Sequence, residues 1–469
     1  MKLLWMVLLY VLFSSAFAKQ TPQILAIRDA TVVDLGDGSL KENQTILVSG
    51  SSIRLVGTSA DVSIPAGSRV VEAKGKFVIP GLWDMHVHTA DLTYFSQFVA
   101  NGVTGIRDMG GGAAVATNGC ESIQSEQINA WRSRIESNEL IGPSIVFSGP
   151  AVSGTGWPTS LTVRTADEAK AAIGTLQARG VDFVKVYEGI PLVAYQALAD
   201  AAHAGGLPLA GHVPAETVGL LDAISAGQRS IEHVRDALLM CFTDDPAEHA
   251  KFMVDDHWAK DDVTWGTARH RECQRVIEAL QERRVWLTPT LVVERAKVAV
   301  EEVGFVTDSR RTRLPSSVQK AFAAFVLEKR GQSPTDRASE HLWWRTQKRL
   351  VHRMNQSGVA LLAGTDSACE GGLPGDSLHT ELALLVDAGL SPLEALRSAT
   401  LEPARYFEST DSMGVIAAGA VADLVLLDRN PLEDIANTRR IHAVILRGRV
   451  LKRADLDALT PRVKKLVSE

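Results

Sequence analysis

Cysteine is scarce in this chain: there are four cysteines in 469 residues, and no two of them form a C-x-x-C pair. This excludes a dense disulfide framework and a cysteine-rich zinc site. In an exported protein the four would permit up to two disulfides, and their spacing does not decide the pairing. We expect them to be buried or bridged rather than to bind metal. They are Cys120, Cys241, Cys273 and Cys369.

Strong charge and long apolar runs are also missing from most of the chain. The formal net charge is −6 and no run of basic residues stands out, which argues against nucleic acid as the main partner. After residue 18, no apolar segment approaches the ~20 residues that span a bilayer. Hydrophobic residues make up 45% of the chain and charged residues 22%, which is typical of a globular protein.

The first 18 residues differ from the rest. Lys2 precedes an apolar run from Leu3 to Phe13, and Ser14-Ser-Ala-Phe-Ala18 contains an Ala-x-Ala cleavage site. These features predict a signal peptide, residues 1–18, and hence a periplasmic or secreted protein. The alternative is an uncleaved membrane anchor, but the run is shorter than the ~20 residues that a span requires. We therefore expect no stable membrane insertion after cleavage.

The two ends of the mature chain share a β-rich pattern. Short apolar stretches separated by Gly, Asn and Asp turns fill residues 19–80, which predicts an antiparallel sheet without helices. The same pattern returns in residues 413–469, for example in Ala422-Asp-Leu-Val-Leu-Leu-Asp428. We predict that the two ends pair into one small β-sandwich domain.

Residues 81–412 alternate short apolar strands with helical stretches, the pattern of βα units around a parallel sheet. Eight such units predict an α/β fold, a TIM-type (β/α)8 barrel. The predicted strands are Leu82–His86, Val103–Asp108, Pro143–Ser148, Val181–Tyr187, Leu207–His212, Gln228–His233, Val285–Leu291 and Val359–Gly364.

Long insertions follow predicted strands six and seven, at about residues 235–263 and 294–356. In a barrel both would lie on the C-terminal face, where active sites form. The second insertion contains helical, charged sequence at Val318–Arg330 and His341–Met354 and could form a lid or an oligomer contact. We interpret its Trp343-Trp344 pair as core or interface packing.

Several predicted strands end in candidate metal ligands. His86 and His88 stand two residues apart on strand one, and because alternate strand residues face the same way, both imidazoles can reach one metal. His212 and His233 end neighbouring strands, with one helix between them. Asp366 follows strand eight, where a carboxylate can bind metal and accept a proton from water. Together these residues predict a metal-dependent hydrolase.

Lys185 lies in the apolar stretch Val181-Asp-Phe-Val-Lys-Val-Tyr187, on a strand expected to be buried on both faces. One interpretation is a lysine that reaches solvent at the strand end. The other is that burial and nearby cations lower its pKa, so that the neutral amine reacts with carbon dioxide to form a carbamate. A carboxylated lysine can bridge two metals.

These motifs resemble the amidohydrolase superfamily over nearly the whole mature chain. The resemblance rests on the opening Pro80-Gly-Leu-Trp-Asp-Met-His-Val-His88 and the closing Gly419-Ala-Val-Ala-Asp-Leu-Val-Leu-Leu-Asp428. Within it, the chain is similar to the imidazolonepropionase-like branch, which includes metal-dependent Xaa-Pro and Xaa-Arg dipeptidases and ochratoxin-hydrolysing amidases. The stretches that carry this closer resemblance are Asp182-Phe-Val-Lys-Val-Tyr187, Gly211-His-Val-Pro214, Ser230-Ile-Glu-His233 and Ala363-Gly-Thr-Asp366.

The resemblance implies a centre of two divalent metal ions, usually zinc, bridged by a hydroxide and by N6-carboxylysine at Lys185. Two cations about 3.5–4 Å apart lower the pKa of the bridging water towards about 7 and polarise the scissile carbonyl. Asp366 would take the proton from the hydroxide and deliver it to the leaving amine. The implied ligands are His86, His88 and Asp366 for the first metal and His212 and His233 for the second. True imidazolonepropionases are mononuclear and lack this lysine, which argues against that activity.

Two further residues are weaker catalytic candidates. Tyr187 lies two residues beyond Lys185, so its hydroxyl could stabilise an oxyanion, although a packed tyrosine explains it equally well. His379 follows strand eight and is predicted to contact substrate. Gly110-Gly-Gly112, in contrast, lacks the residues of a phosphate-binding loop and is expected to be a loop at the barrel mouth.

The sequence therefore predicts an exported amidohydrolase that cleaves the C–N bond of dipeptides or N-acyl amino acids, with a small molecule as its partner. The alternative is a cyclic amide hydrolase or a deaminase that uses the same metals. A non-enzymatic binding protein on a decayed barrel is a third reading, but decay would remove ligands and all six are present. Relatives are often dimers or octamers, which leaves a homo-oligomer open.

Overall fold

The computed structural model describes residues 23–110, 123–156, 160–241 and 268–466. The predicted signal peptide, Cys120, Gly111, Gly112 and most of the first predicted insertion lie outside these residues. Within these ranges, no helix combines the length and the apolarity that a membrane crossing requires.

Seventeen strands are present in the described part of the chain. They are β1 (Leu25–Val33), β2 (Leu40–Ser49), β3 (Ser52–Thr58), β4 (Arg69–Glu72), β5 (Phe77–Pro80), β6 (Leu82–Val87), β7 (Val103–Asp108), β8 (Ser144–Phe147), β9 (Val152–Ser153), β10 (Leu161–Thr162), β11 (Val184–Val186), β12 (Leu209–Gly211), β13 (Gln228–Glu232), β14 (Trp286–Thr288), β15 (Leu424–Leu427), β16 (Ile441–Leu446) and β17 (Arg449–Lys452).

Fifteen α-helices lie in the same described ranges. They are α1 (Thr93–Ala100), α2 (Ser125–Glu136), α3 (Ala166–Ala178), α4 (Leu192–Ala204), α5 (Leu220–Ser225), α6 (Val234–Met240), α7 (Ala268–Glu282), α8 (Leu291–Ala299), α9 (Val303–Val306), α10 (Ser316–Arg330), α11 (Pro334–Gln356), α12 (Asp376–Asp387), α13 (Pro392–Ser398), α14 (Leu401–Tyr406) and α15 (Arg453–Leu466).

The two chain ends meet in one eight-stranded sheet, in the order β17-β16-β15-β5-β1-β2-β3 with β4 beside β1. The link between the ends is the antiparallel pair β15 and β5, in which Leu424 lies opposite Pro80. The expected pairing of the ends is thus present. The expectation of a wholly antiparallel sheet is wrong, because β1 runs parallel to both β4 and β5. After β3, at the edge of the sheet, residues 59–68 cross back to the other side of β1, where β4 enters in the same direction as β1. A sandwich of two facing sheets stays a prediction.

The central strands form two parallel sheets, β10-β9-β11-β12-β13-β14 and β6-β7-β8. They include the first seven predicted strands, whose apolar residues are buried as expected for a sheet covered on both faces. The eighth predicted strand, Val359–Gly364, forms only isolated bridges. Its backbone is shared between two neighbours: Leu362 N donates to Leu287 O at 2.9 Å, and Met85 N donates to Ala363 O at 2.9 Å. This segment therefore lies between β14 and β6.

The second predicted insertion is helical, as expected, with α10 and α11 covering the two predicted stretches. Helix α11 begins at a capping box, in which the Ser333 hydroxyl accepts from Asp336 N and the Asp336 carboxylate accepts from Ser333 N. Trp343 is buried in the main core beside Trp344, which agrees with the packing interpretation. In the first insertion, Cys241 forms a disulfide with Cys273.

Candidate metal centre

Three of the predicted ligands form a compact cluster at the end of β6. Nε2 of His88 lies 3.0 Å and Nε2 of His86 3.3 Å from Oδ1 of Asp366. Asp366 is held there by its backbone, since its N–H donates to His86 O at 2.7 Å. The ligand atoms of the three residues all lie within 4.8 Å of one another, so they can share one cation.

The other two predicted histidines continue this cluster on neighbouring strands. The ring centroid of His233 lies 4.8 Å from that of His86 and 4.7 Å from that of His212. This proximity follows from the parallel pairing of β12 with β13, because both histidines come directly after their strands. The four predicted histidines and Asp366 therefore lie around one point at the C-terminal ends of the strands.

Each of three rings is oriented by a partner at Nδ1. That atom lies 2.9 Å from Glu232 Oε2 in His86 and 3.0 Å from Asp236 Oδ2 in His212. In His233, the partner is the Thr290 hydroxyl at 2.8 Å. A ring engaged at Nδ1 leaves Nε2 for metal, and the acceptor fixes the tautomer that binds it.

Lys185 is buried, with 3% of its surface exposed. Burial lowers the pKa of its ammonium to about 8, although the carboxylates of Glu232 and Asp366 oppose the shift. At pH 7 about a tenth of this amine is therefore unprotonated, far more than for a lysine with the ordinary pKa of about 10.4.

The strand next to Lys185 contains a glycine where no other residue fits. A Cβ on Gly211 would lie 2.2 Å from the carbonyl oxygen of Val186 and 3.1 Å from Cδ of Lys185. The φ angle of Gly211 is +135°, which L residues rarely adopt. Glycine at this position thus leaves room for the lysine stem.

The ionisation states of the cluster suit a metal. Burial lowers the pKa of His212 to about 4 and that of His233 well below its usual value, so both rings are neutral at pH 7. Burial would raise the pKa of Asp366, but His86 and His88 outweigh it and hold that pKa well below its usual value. Neutral imidazoles and an ionised carboxylate are the forms that bind divalent cations.

The buried donor atoms also fit such a cation. Within the described ranges, His86 Nε2 and His88 Nδ1 are buried and have no hydrogen-bond partner. Unsatisfied buried polar atoms are costly. Of the two, His86 Nε2 faces the cluster. A divalent cation held by the cluster would give this nitrogen a partner.

Below the cluster lies a buried ion pair that the sequence patterns did not reveal. Arg107 Nη2 donates to Glu232 Oε1 at 2.7 Å, and both side chains are fully buried. Arg107 also donates from Nε to Met85 O at 2.6 Å and from Nη1 to Ser230 Oγ at 2.9 Å. The available signal was an arginine and a glutamate on strands expected to be buried on both faces, since such residues are rarely buried unless paired.

The two weaker candidates have different positions. The Tyr187 ring lies edge-on to His212, with centroids 4.6 Å apart, so it borders the cluster. His379 does not: its Nδ1 lies 2.9 Å from the Thr438 hydroxyl and its Nε2 lies 3.0 Å from Asn101 O. Both ring nitrogens of this buried residue bind protein groups outside the cluster. We therefore replace the expected substrate contact of His379 with a structural role.

An additional charge lies beside the cluster. Arg235 follows His233 by two residues, and its Nε is 3.4 Å from Oδ1 of Asp236, the partner of His212. Its side chain is 36% exposed. A partly exposed guanidinium two contacts away from a candidate ligand can attract an anionic group on a substrate.

Comparison with known proteins agrees with this geometry. The model of the amidohydrolase family matches residues 77–451. Ochratoxinase from Aspergillus niger is 22% identical over 500 residues, covering 89% of this chain and 85% of that protein. Among solved structures, a putative prolidase from Bifidobacterium longum is 23% identical with a TM-score of 0.67, covering 95% of this chain and all of that chain.

Bottromycin amidohydrolase has a TM-score of 0.73 at 20% identity, over 95% of this chain and 91% of that chain. These structural likenesses indicate a fold of the amidohydrolase type, in which the strands form a TIM-type barrel. The family model covers well over half of the sequence. The chain therefore belongs to the amidohydrolase family and is a hydrolase that acts on amide bonds.

Proposed function

We propose that this protein is an exported amidohydrolase with two metals, which cleaves the C–N bond of dipeptides or N-acyl amino acids in a closed (β/α)8 barrel. The observation that carries the proposal is the convergence of four histidines and Asp366 at the C-terminal ends of parallel strands, with the buried Lys185 on β11, the strand next to β12. This is the face on which barrel enzymes build their active sites.

In this proposal the ligands divide between two ions, which we expect to be zinc. Lys185, carboxylated on Nζ, would lie between them. When bound, the two cations would supply a nucleophilic water at neutral pH and polarise the substrate carbonyl. The first ion would be held by His86, His88 and Asp366, and the second by His212 and His233.

The side chains have separate tasks in the reaction. Asp366 is ionised at neutral pH, so it can accept a proton from the attacking water and deliver it to the nitrogen of the leaving amine. Burial raises the pKa of the Tyr187 phenol to about 12. It therefore keeps its proton and can donate a hydrogen bond to the oxygen of the carbonyl as negative charge develops there.

One observation supports a substrate with a free carboxylate: Arg235 places a cation beside the cluster, as described above. The names of two relatives, ochratoxinase and a putative prolidase, support hydrolysis of an amide bond more generally. Cyclic amide hydrolysis and deamination remain the alternative, since the same metals serve both.

The test combines activity with metal content. Lys185→Ala and Asp366→Ala are compared with Lys170→Ala and Asp167→Ala, two exposed positions on α3. The substrates are a panel of Xaa-Pro and Xaa-Arg dipeptides, N-acyl amino acids and lactams. We expect the first pair to lose turnover at least 1,000-fold, on the order of the catalytic contribution of such sites, while staying folded. Full activity in either variant would refute the mechanism.

The exported location is tested separately. The full chain is expressed in a bacterium with a periplasm, and the mature N-terminus is sequenced. We expect Lys19 as the first residue, which follows the predicted cleavage site. An intact Met1 in the cytosolic fraction would refute export without affecting the proposed reaction.

A further inference from the structure

The second insertion packs on the loop that carries Asp366. Residues 366–372 follow the candidate ligand and contain a short 3-10 helix, Cys369–Gly371. Against this loop lie α10 and a second 3-10 helix, Ser309–Arg313. Arg311, in the second 3-10 helix, contacts both the loop and other residues of the insertion.

Arg311 joins the insertion to the loop through several contacts. Its guanidinium carbon lies 4.4 Å from the ring centroid of Phe305 and 4.3 Å from that of Phe322. Its Nη1 donates to Phe305 O, and its Nε donates to Gly371 O at 2.9 Å. The two rings fix the plane of the guanidinium, and cation–π attraction stabilises it between them. The hydrogen bond to Gly371 therefore comes from an oriented donor.

Glycine at position 371 permits this close approach. A Cβ there would lie 2.3 Å from Cδ2 of Phe322 and 2.9 Å from Nε of Arg311. The φ angle of Gly371 is +77°, a conformation that favours glycine. Any larger residue would push the loop away from the insertion.

The loop transmits this contact to the Asp366 carboxylate. Cys369 N donates to Asp366 O at 2.9 Å, and Gly372 N donates to Cys369 O at 2.9 Å. Sγ of Cys369 lies 3.3 Å from Oδ1 of Asp366, the oxygen that both ligand histidines approach. A shift of the loop would therefore also shift the carboxylate of Asp366.

The same loop has a backbone that requires support. Asp366 has φ +55° and Glu370 has φ +50°, the left-handed region that residues other than glycine rarely adopt. Such conformations cost free energy and persist only when the surroundings hold them. Within the described residues, Arg311 is a contact from the insertion that does so.

We propose that Arg311 is a positioning residue, which sets the Asp366 carboxylate through Gly371 and thereby gives the second insertion a role in the reaction. This inference rests on the proposed function of the site. Misplacing a catalytic group by about 1 Å can reduce the rate about 100-fold. The loss is expected in kcat, because Arg311 acts through Asp366 rather than on the bound substrate.

The experiment compares Arg311→Ala with Arg310→Ala. Arg310 is the adjacent residue of equal charge, and its guanidinium binds Asp308 and Asp376 instead of the loop. We expect Arg311→Ala to reduce kcat about 10- to 100-fold with KM changed by less than about threefold. Ethylguanidinium at millimolar concentration should restore part of this loss, because it fits between the two phenylalanine rings. Arg310→Ala should retain kcat within about twofold.

A second readout uses Zn²⁺ alone. In competition with a chelator, Arg311→Ala should bind zinc about 10-fold more weakly than Arg310→Ala, since Asp366 is a candidate ligand. If no amide in the panel is cleaved by the unaltered protein, the proposed function fails while this zinc measurement still tests the positioning role. Unchanged kcat and zinc affinity would overturn the inference. A loss that tracks only the fraction of folded protein, without rescue, would also overturn it.

Discussion

Glu232 holds two buried groups with its two oxygens. Oε2 lies 2.9 Å from Nδ1 of His86, and Oε1 lies 2.7 Å from Nη2 of Arg107. Burial would raise the pKa of Glu232, but Arg107 and His86 outweigh it and lower that pKa. The carboxylate is therefore ionised, and it makes His86 a stronger metal ligand by accepting from Nδ1.

We predict that Glu232→Gln weakens zinc binding 10- to 100-fold, the typical effect of losing a carboxylate behind a histidine ligand. Glutamine preserves the shape and one acceptor but leaves the buried charge of Arg107 without its counterion, so circular dichroism must show a folded variant before zinc affinities are compared. The measurement is zinc competition against a fluorescent chelator, with the exposed Glu126→Gln as control. Equal zinc affinity in the two variants would show that the Glu232 charge does not influence the site.

Arg235 leads to a prediction about substrate recognition. We expect Arg235→Ala to raise KM at least 10-fold for a dipeptide with a free carboxylate, since a charged hydrogen bond contributes about 1.5–3 kcal/mol. KM for the corresponding dipeptide amide should change little, because that substrate carries no negative charge. The comparison requires steady-state kinetics on both substrates. An equal increase for both would mean that Arg235 supports the site without contacting the carboxylate.

Among the structural elements, the first seven strands of the central region could be predicted from sequence. The eighth predicted strand, Val359–Gly364, is not a regular strand in the structure. Strands one to seven are short segments in which most residues are buried. The segment 359–367 also begins with apolar residues, yet its backbone bonds to β14 only at residues 360–362 and to the end of β6 only from residue 363 onwards, so each neighbour pairs with it only at an isolated bridge. The candidate ligand Asp366 could still be identified, because its place after the apolar run does not depend on whether that run forms a regular strand.

The hydrogen-bond partners of the candidate ligands could not be predicted from the sequence. Arg107 and Glu232 are 125 positions apart, and Glu232 and His86 are 146 apart. Nothing in local periodicity joins such positions. His379 failed for a related reason: the sequence placed it after strand eight, but the start of α12 directs it towards Thr438 and Asn101.

The buried His379, on α12, makes the free energy of unfolding depend on pH. Burial lowers its pKa to about 4 in the folded protein, against about 6.5 in an unfolded chain. Between these values the unfolded chain binds a proton that the folded protein does not, so stability is complete above pH 6.5 and falls as pH decreases towards 4. The expected loss is ~3 kcal/mol at most.

We predict that His379→Gln flattens this dependence, because glutamine hydrogen-bonds the same region without titrating. Urea unfolding midpoints at pH 7.5, 6 and 5 test the prediction, with chelator present so that metal release does not contribute. His341→Gln, at a partly exposed position, should retain the slope of the unaltered protein. A slope in His379→Gln equal to that of His341→Gln would assign the acid sensitivity to other groups.

At the scale of the whole molecule, the candidate ligands come from both ends of the central region. His86 and His88 lie near its start and Asp366 near its end, 280 positions from His86. The intervening histidines, His212 and His233, come directly after β12 and β13. A metal held by this set would cross-link segments that are otherwise connected by hydrogen bonds and packing.

We predict that the stability of the whole fold depends on metal, because segments from both ends of the central region would meet at the candidate centre. A ligand that binds only the folded state stabilises it by RT ln(1 + [L]/Kd), about 4 kcal/mol at a free concentration 1,000 times Kd. We therefore expect chelation to lower Tm by several degrees and zinc to restore it, as measured by calorimetry. Asp366→Asn should lose most of the zinc-dependent shift in Tm, since it removes the negative charge of the carboxylate that lies between His86 and His88. Asp167→Asn, on the exposed face of α3, should keep it. If Asp366→Asn responds to zinc as fully as Asp167→Asn, the stabilising metal binds elsewhere than at the candidate centre.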